Sequence, residues 1–293
     1  MPILQRGAAR RLRSPDLPST RTAVRANLMH LRRQAEPPVH YLYEPPAGTP
    51  RDNCTYEPRE VVIRDCRPAT AQLSIDHHGF ELHDAPTRVV DFADADQVTQ
   101  IYYREIAELA RSVTGARHAY VFDHLVRKRD PSRPLASFGE RGGGRAPGAA
   151  GQVHNDFTDA SGRRRLALVL GDTKLPGPRF SIVTLWRPIL PEPVLDTPLA
   201  VCDASSVADD DLIACELRYR DRIGEIYLGA YNPAQRWSYV PAMVRDEVLV
   251  FKQYDSAPDV ARFTPHAAFD HPDAAASWAP RQSIEVRCLV TYD

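Results

Sequence analysis

Apolar and polar positions alternate in short runs along most of this chain, and only two stretches carry helical spacing. Between Asp94 and Thr114, the residues Val98, Ile101, Tyr102, Ile106, Leu109 and Val113 recur every three or four positions, which predicts a helix. Asp94 suits the start of that helix and Gly115 its end. A shorter helix is expected over Asp159–Leu170. Strands are expected at Val61–Arg64, His118–Val126, Phe180–Trp186, Leu199–Cys202, Ile223–Tyr231, Trp237–Val240, Glu247–Tyr254, Ala261–Phe269 and Ser283–Tyr292. Leu73–Leu82 reads as a hairpin closed near Gly79. The strand spacing beyond Arg179 suits a sandwich or barrel and not alternating βαβ units. The expected fold is mainly β with flanking helices.

Composition sharpens this picture in a few places. Proline is abundant (26) and glycine ordinary (15), which fits strands and loops better than a helical bundle. Residues 37–60 are rich in Pro and Tyr and read as an extended arm. Residues 129–151, with three glycines between Arg141 and Arg145, read as a flexible loop, either a plain insertion or a lid. Met1 to Arg33 is arginine-rich and nearly free of acids. Residues 1–36 are therefore expected to be a basic, poorly ordered segment ahead of one domain over 37–293. That domain divides into the arm and helix (37–128), the loop (129–151) and a β-rich core (152–293).

Charge and cysteine usage exclude several classes. The formal net charge is -1, so no global field favours nucleic acid or an anionic membrane. No apolar run approaches the roughly 20 residues of a membrane span. Five scattered cysteines without a CxxC pair suggest reduced thiols in a cytoplasmic protein. No glycine-rich nucleotide fingerprint follows a strand.

The candidate chemistry sits in QVHNDF (Gln152–Phe157). On a strand, His154 and Asp156 project from one face. They are two members of a facial triad, and His266 in RFTPHAAFDHP is the best third. Two histidines and a carboxylate bind Fe(II) on one side and leave the other positions open. Separated from His266 by fourteen residues, Arg281 and Ser283 form an RxS pattern that could clasp the distal carboxylate of 2-oxoglutarate, the arginine bidentately. Arg287 either pairs with Glu285 or binds that carboxylate itself. Arg281, Ser283, Glu285 and Arg287 share one strand face, which reads as enclosed rather than solvated. A structural role is expected for His118, His124 and the paired Lys252, and little metal role for His77 and His78.

Longer blocks carry a family resemblance. WRPI (Trp186–Ile189), TPLAVCD (Thr197–Asp203), YNPAQRWSYVPAMVRDEVLVFKQYDS (Tyr231–Ser256), TPHAAFDHP and PRQSIEVRCLVTYD resemble the CmcJ/AsaB family. IRDCRP, HHGFEL, VVDFAD, YYREIAEL and TGARHAYVFDHLVR extend the resemblance over about residues 37–293. It implies a double-stranded β-helix (a cupin-like jelly roll) and an Fe(II)/2-oxoglutarate-dependent oxygenase. Such an enzyme hydroxylates or desaturates a small molecule in specialised metabolism, with O2 as co-substrate. The matching metal positions are His154, Asp156 and His266. Two rival readings stay open: a non-catalytic partner subunit on the same fold, and an iron oxygenase that does not use 2-oxoglutarate. A second copy of the chain and a pathway protein are the protein partners considered.

Overall fold

Strict alternation writes the first strand. In β1 (Ala23–Leu31), Val24, Ala26, Leu28 and His30 are buried while Arg25 and Asn27 are exposed. The computed structural model describes residues 22–135, 147–171 and 177–293. After β2 (Val39–Tyr41), β3 (Tyr56–Asp65) pairs antiparallel with β1 from Ala23–Arg64 to Leu31–Tyr56. The further strands are β4 (Phe80–Asp84), β5 (His118–Lys128), β6 (His154–Asn155), β7 (Phe180–Pro188), β8 (Leu199–Cys202), β9 (Leu212–Arg218), β10 (Ile223–Gly229), β11 (Trp237–Tyr239), β12 (Glu247–Asp255), β13 (His266–Ala268) and β14 (Gln282–Thr291).

They form two sheets, ordered β1-β3-β11-β8-β13-β6-β10-β9-β2 and β4-β12-β7-β14-β5. Strand pairs are antiparallel except β3–β11 and β2–β9. The large sheet bends back on itself, because Met29 and Leu31 of β1 bridge to Gln152 and Ala230. The backbone N–H of Val153 donates to Met29 O at 2.8 Å, so the first strand pins the segment leading into β6. This is the jelly-roll arrangement.

The outer face of the small sheet is covered by helix. Asp94 accepts from the N–H groups of Asp96 and Gln97 and starts α1 (Ala95–Gln97). A π turn over Val98–Tyr102 leads into α2 (Tyr103–Thr114), which ends at Gly115 with φ 69°. Tyr102, Ile106 and Ala110 pack on Leu185, Val250, Ile284 and Val286. The small sheet is thus buried on both faces: β7 is buried along its whole length and β12 at all but its first residue, and the polar residues of β12 and β14 are enclosed with them. α3 (Asp159–Leu170) begins at a capping box in which Thr158 and Ser161 exchange bonds. It approaches β12 closely: a Cβ on Gly162 would stand 2.6 Å from the Tyr254 ring.

Several expectations are corrected. Residues 22–36 are not a loose leader, since β1 alternates and pairs along its whole length. Leu73–Leu82 is not a hairpin. His77, His78 and Gly79 all donate backbone N–H bonds to Ser74 O, closing a turn, and β4 pairs with β12 instead. β9 was not anticipated, and the expected strand Ala261–Phe269 shrinks to β13. The arm over 37–60 contributes β2 and the first half of β3. Residues 1–21 and the Arg141–Arg145 loop lie outside the described residues. All five cysteines are free. Lys252 is paired as expected, donating to Asp76 at 2.5 Å and to Asp255 at 2.8 Å.

Candidate metal centre

β6 and β13 are neighbours, and His154 and His266 stand directly opposite each other in their register. The two rings lie 4.2 Å apart between centroids. One ligand atom each from His154, Asp156 and His266 falls within 4.8 Å of the others, the only such metal-binding group among the described residues. No described helix is long and apolar enough to cross a membrane.

The ring nitrogens are assigned by their partners. His154 Nδ1 lies 2.8 Å from Gln152 O, and His266 Nδ1 lies 3.1 Å from Thr264 O. A carbonyl only accepts, so each Nδ1 carries the proton and each Nε2 keeps its lone pair. His154 Nε2 is 3.6 Å from Asp156 Oδ1. Burial, with the nearby His266, pushes the His154 imidazole down to about 3, and burial lowers His266 too. Both rings are therefore neutral donors at ordinary pH.

Asp156 is oriented from the opposite sheet. Arg287 Nε donates to its Oδ2 at 2.8 Å, which leaves Oδ1 on the histidine side. Burial favours the neutral acid, but the charges of Arg287 and the histidines outweigh it, so the carboxyl ionises well below its usual range. Arg287 is itself held by Asp123 at 2.9 Å and Glu285 at 2.8 Å, and Glu285 also takes a two-pronged bond from Arg127. Of the two roles raised for Arg287 from the sequence, the pairing with Glu285 is the one this geometry contains. The three donor positions of Arg287 are already engaged by three carboxylates.

Arg281 and Ser283 differ sharply. Both are almost fully buried. Arg281 Nη1 donates to Thr197 O at 2.8 Å and its guanidinium lies 5.5 Å from the Trp186 ring. Arg281 Nε and Ser283 Oγ have no hydrogen-bond partner, and Arg281 has no ion pair among the described residues. Burial, helped by Arg127, pulls Arg281 down to about 10. An unpaired buried polar group costs roughly 1–3 kcal/mol. A ligand carboxylate would satisfy both atoms and restore the charge balance, so these residues fit the distal end of 2-oxoglutarate. The enclosed reading of this strand face also holds, because β14 runs between β7 and β5 and not at an edge.

Sequence reasoning missed the amides that fix the ligands. Asn155 Nδ2 donates to Phe157 O and Gln253 O, and its Oδ1 accepts from Thr264 N. Gln253 Oε1 accepts from Asp156 N, while its Nε2 donates to Thr184. Arg127 and Glu285 were likewise not assigned to each other. No spacing rule marks such groups, although Asn155 lies inside the HxD motif itself.

Comparison with known proteins agrees with this geometry. The model of the oxidoreductase/YMDC permease-like domain matches residues 27–291. The chain is 32% identical to the Fe(II)/2-oxoglutarate-dependent dioxygenase nvfI of Aspergillus novofumigatus over 86% of this chain and 90% of that one. It is 40% identical to the hydroxylase/desaturase asaB of Aspergillus flavus over 39% of this chain and 56% of that one. A solved structure of the iron and alpha-ketoglutarate-dependent endoperoxidase NvfI superposes with a TM-score of 0.82 at 29% identity, covering 93% of this chain and 99% of that one. With a jelly roll, a buried His-Asp-His cluster and these relatives, the chain belongs to the oxidoreductase/YMDC permease-like family of Fe(II)/2-oxoglutarate-dependent oxygenases.

Proposed function

We propose that this chain holds Fe(II) between His154, Asp156 and His266, holds 2-oxoglutarate against Arg281 and Ser283, and uses O2 to hydroxylate or desaturate a small molecule of specialised metabolism. The observation that carries the reading is the convergence of three ligand atoms within 4.8 Å, contributed by β6, the residue just beyond it and β13. The iron, when bound, supplies the electrons that activate O2 as 2-oxoglutarate is decarboxylated.

The chain's own residues prepare that event. The carbonyls of Gln152 and Thr264 fix both tautomers, so neither histidine has to lose a proton to become a ligand. Arg287 turns Asp156 so that one oxygen faces the histidines. Three protein donors on one side leave positions for the keto acid and for O2. Arg281 presents a planar fork to the distal carboxylate, and Ser283 adds a donor beside it. The five free cysteines, four of them buried, favour a cytoplasmic setting.

The test is anaerobic titration with Fe(II) and 2-oxoglutarate, read through the weak visible charge-transfer band of the bidentate complex. The band is expected in the wild type and absent in His154→Ala. Arg281→Ala should raise the 2-oxoglutarate requirement by about tenfold or more, since charge-assisted bonds contribute roughly 1.5–3 kcal/mol each. Arg287→Ala should instead weaken the metal, because Asp156 loses its holder. A band that survives His154→Ala would sink the metal assignment. Unchanged 2-oxoglutarate use in Arg281→Ala would move the co-substrate elsewhere.

A further inference from the structure

One arginine at the edge of the candidate site has no ion pair of its own among the described residues. Arg165 on α3 places its guanidinium 4.9 Å from the Phe122 ring and 5.9 Å from the Phe157 ring. Phe157 directly follows Asp156, and Phe122 directly precedes Asp123, the aspartate bound by Arg287. Arg165 Nε is buried without a hydrogen-bond partner, and Arg165 makes no ion pair among the described residues. Its neighbours are otherwise engaged. Arg163 and Arg164 pair with Asp159 and Glu225, and Arg262 bonds Asp159. Asp123, the acid whose charge acts on Arg165, already accepts from Arg287 at 2.9 Å.

The surroundings intensify the positive field. Burial depresses the basicity of Arg165, Asp123 offsets this, and Arg222 and Arg287 repel it further. Arg222 lies 3.8 Å from the Tyr219 ring in the β9–β10 hairpin and has no ion pair among the described residues. Arg164 ties that hairpin to α3 through Ile223 O and Glu225. Two cations on two joined elements, each laid on an aromatic ring, therefore flank the same edge of the barrel. Stacking holds a guanidinium in place without consuming its N–H groups.

We propose that Arg165, supported by Arg222, is the specificity-determining anion site for the substrate, and that the substrate is a small apolar carboxylic acid. This rests on the iron-site reading above, which places the oxidised carbon beside Asp156. The carboxylate takes the unpaired N–H groups of Arg165, and the apolar body lies against Phe122 and Phe157, whose rings are 6.3 Å apart. The acid is held by its charge and oxidised at a carbon away from it.

The test is calorimetric titration of metal-free protein with phenylacetate and with phenylacetamide, a pair that differs only in charge and its hydrogen bonding. Wild type is expected to bind the acid about tenfold or more tightly than the amide. Arg165→Gln should erase that preference and Arg165→Lys should retain part of it. Arg163→Gln, an exposed neighbour on the same helix, should leave it unchanged. The proposal is overturned if the preference survives Arg165→Gln, if Arg163→Gln removes it instead, or if wild type takes neither probe or does not distinguish them. Thermal unfolding of each variant checks the fold, and the lysine variant keeps the test decisive if Arg165→Gln does not fold. Mn(II) titration of the same wild-type preparation separates the two readings. Metal binding without acid preference removes only this inference, whereas acid preference without metal binding removes the iron-site reading.

Discussion

Asn155 stands between His154 and Asp156 and spends its whole amide on holding them. Its two donors reach Phe157 O at 2.7 Å and Gln253 O at 2.8 Å, and its acceptor takes Thr264 N at 3.1 Å. That last bond ties the HxD segment to the chain two residues before His266. Asn155→Ala is expected to weaken Mn(II) or Fe(II) binding by about 10–100-fold, read by titration, with a stability loss of roughly 1–3 kcal/mol. Glu285 offers a second test. Burial would raise its carboxyl, but Arg127 and Arg287 outweigh that and bring it down to about 2. The folded value lies below the ordinary 4.5, so the pairing contributes fully above about 4.5 and is lost as pH falls toward about 2. Glu285→Gln should flatten the acid limb of the stability curve in urea unfolding. It should also cost about 3–5 kcal/mol near neutrality, because two buried guanidinium groups lose their shared counter-charge. The HxD spacing alone is a weak signal, and the three ligand candidates were legible because His266, the RxS pattern after it and the longer family blocks stand downstream of it. Asn155 and Gln253 were not, because an amide's role depends on which backbone groups the fold brings to it.

α3 shows how an element can be set by one missing side chain. Gly162 lets the helix settle against Tyr254, where a Cβ would come within 2.6 Å of the ring and within 2.9 Å of two more ring atoms. Gly162→Ala should therefore destabilise the protein by about 1–3 kcal/mol despite improving helix propensity. A thermal melt decides between those opposed effects. If α3 shifts outward to relieve the clash, the acid preference at Arg165 should fall as well. The long helix was legible from its spacing and from its caps, Asp94 and Gly115, whereas the capping box at Thr158 emerged only with the structure. The strands were legible where both faces are buried, as in β7 and β12. β9 was hidden because its pattern, LIACELR, mixes buried Cys215 with half-buried polar neighbours. The expected hairpin near Gly79 failed for a different reason. A glycine at φ 84° marks a reversal but does not say whether the chain before it is a strand.

For the molecule as a whole, the first described strand matters beyond its own sheet edge. β1 supplies Met29 O to the N–H of Val153, one residue before His154. Removing residues 1–32 is expected to broaden unfolding and abolish metal binding together, which calorimetry and metal titration would show. Loss of stability with intact metal affinity would mean that β6 holds itself. The basic composition around β1 obscured this role, since arginines on its exposed side read as a charged leader while the alternate positions were already apolar. The barrel itself was legible from strand spacing, and its closure was not, because bridges such as Leu31–Ala230 join residues nearly two hundred positions apart. One consequence reaches outside the molecule. Two imidazoles with preset tautomers and one carboxylate form a rigid cup with nothing iron-specific in it: among the described residues no sulfur and no fourth donor joins the three. The Irving–Williams order puts zinc and copper ahead of Fe(II) in such a site. Which metal the protein carries is thus decided by the cell's free-ion levels, and an overexpressed preparation inherits the composition of its host.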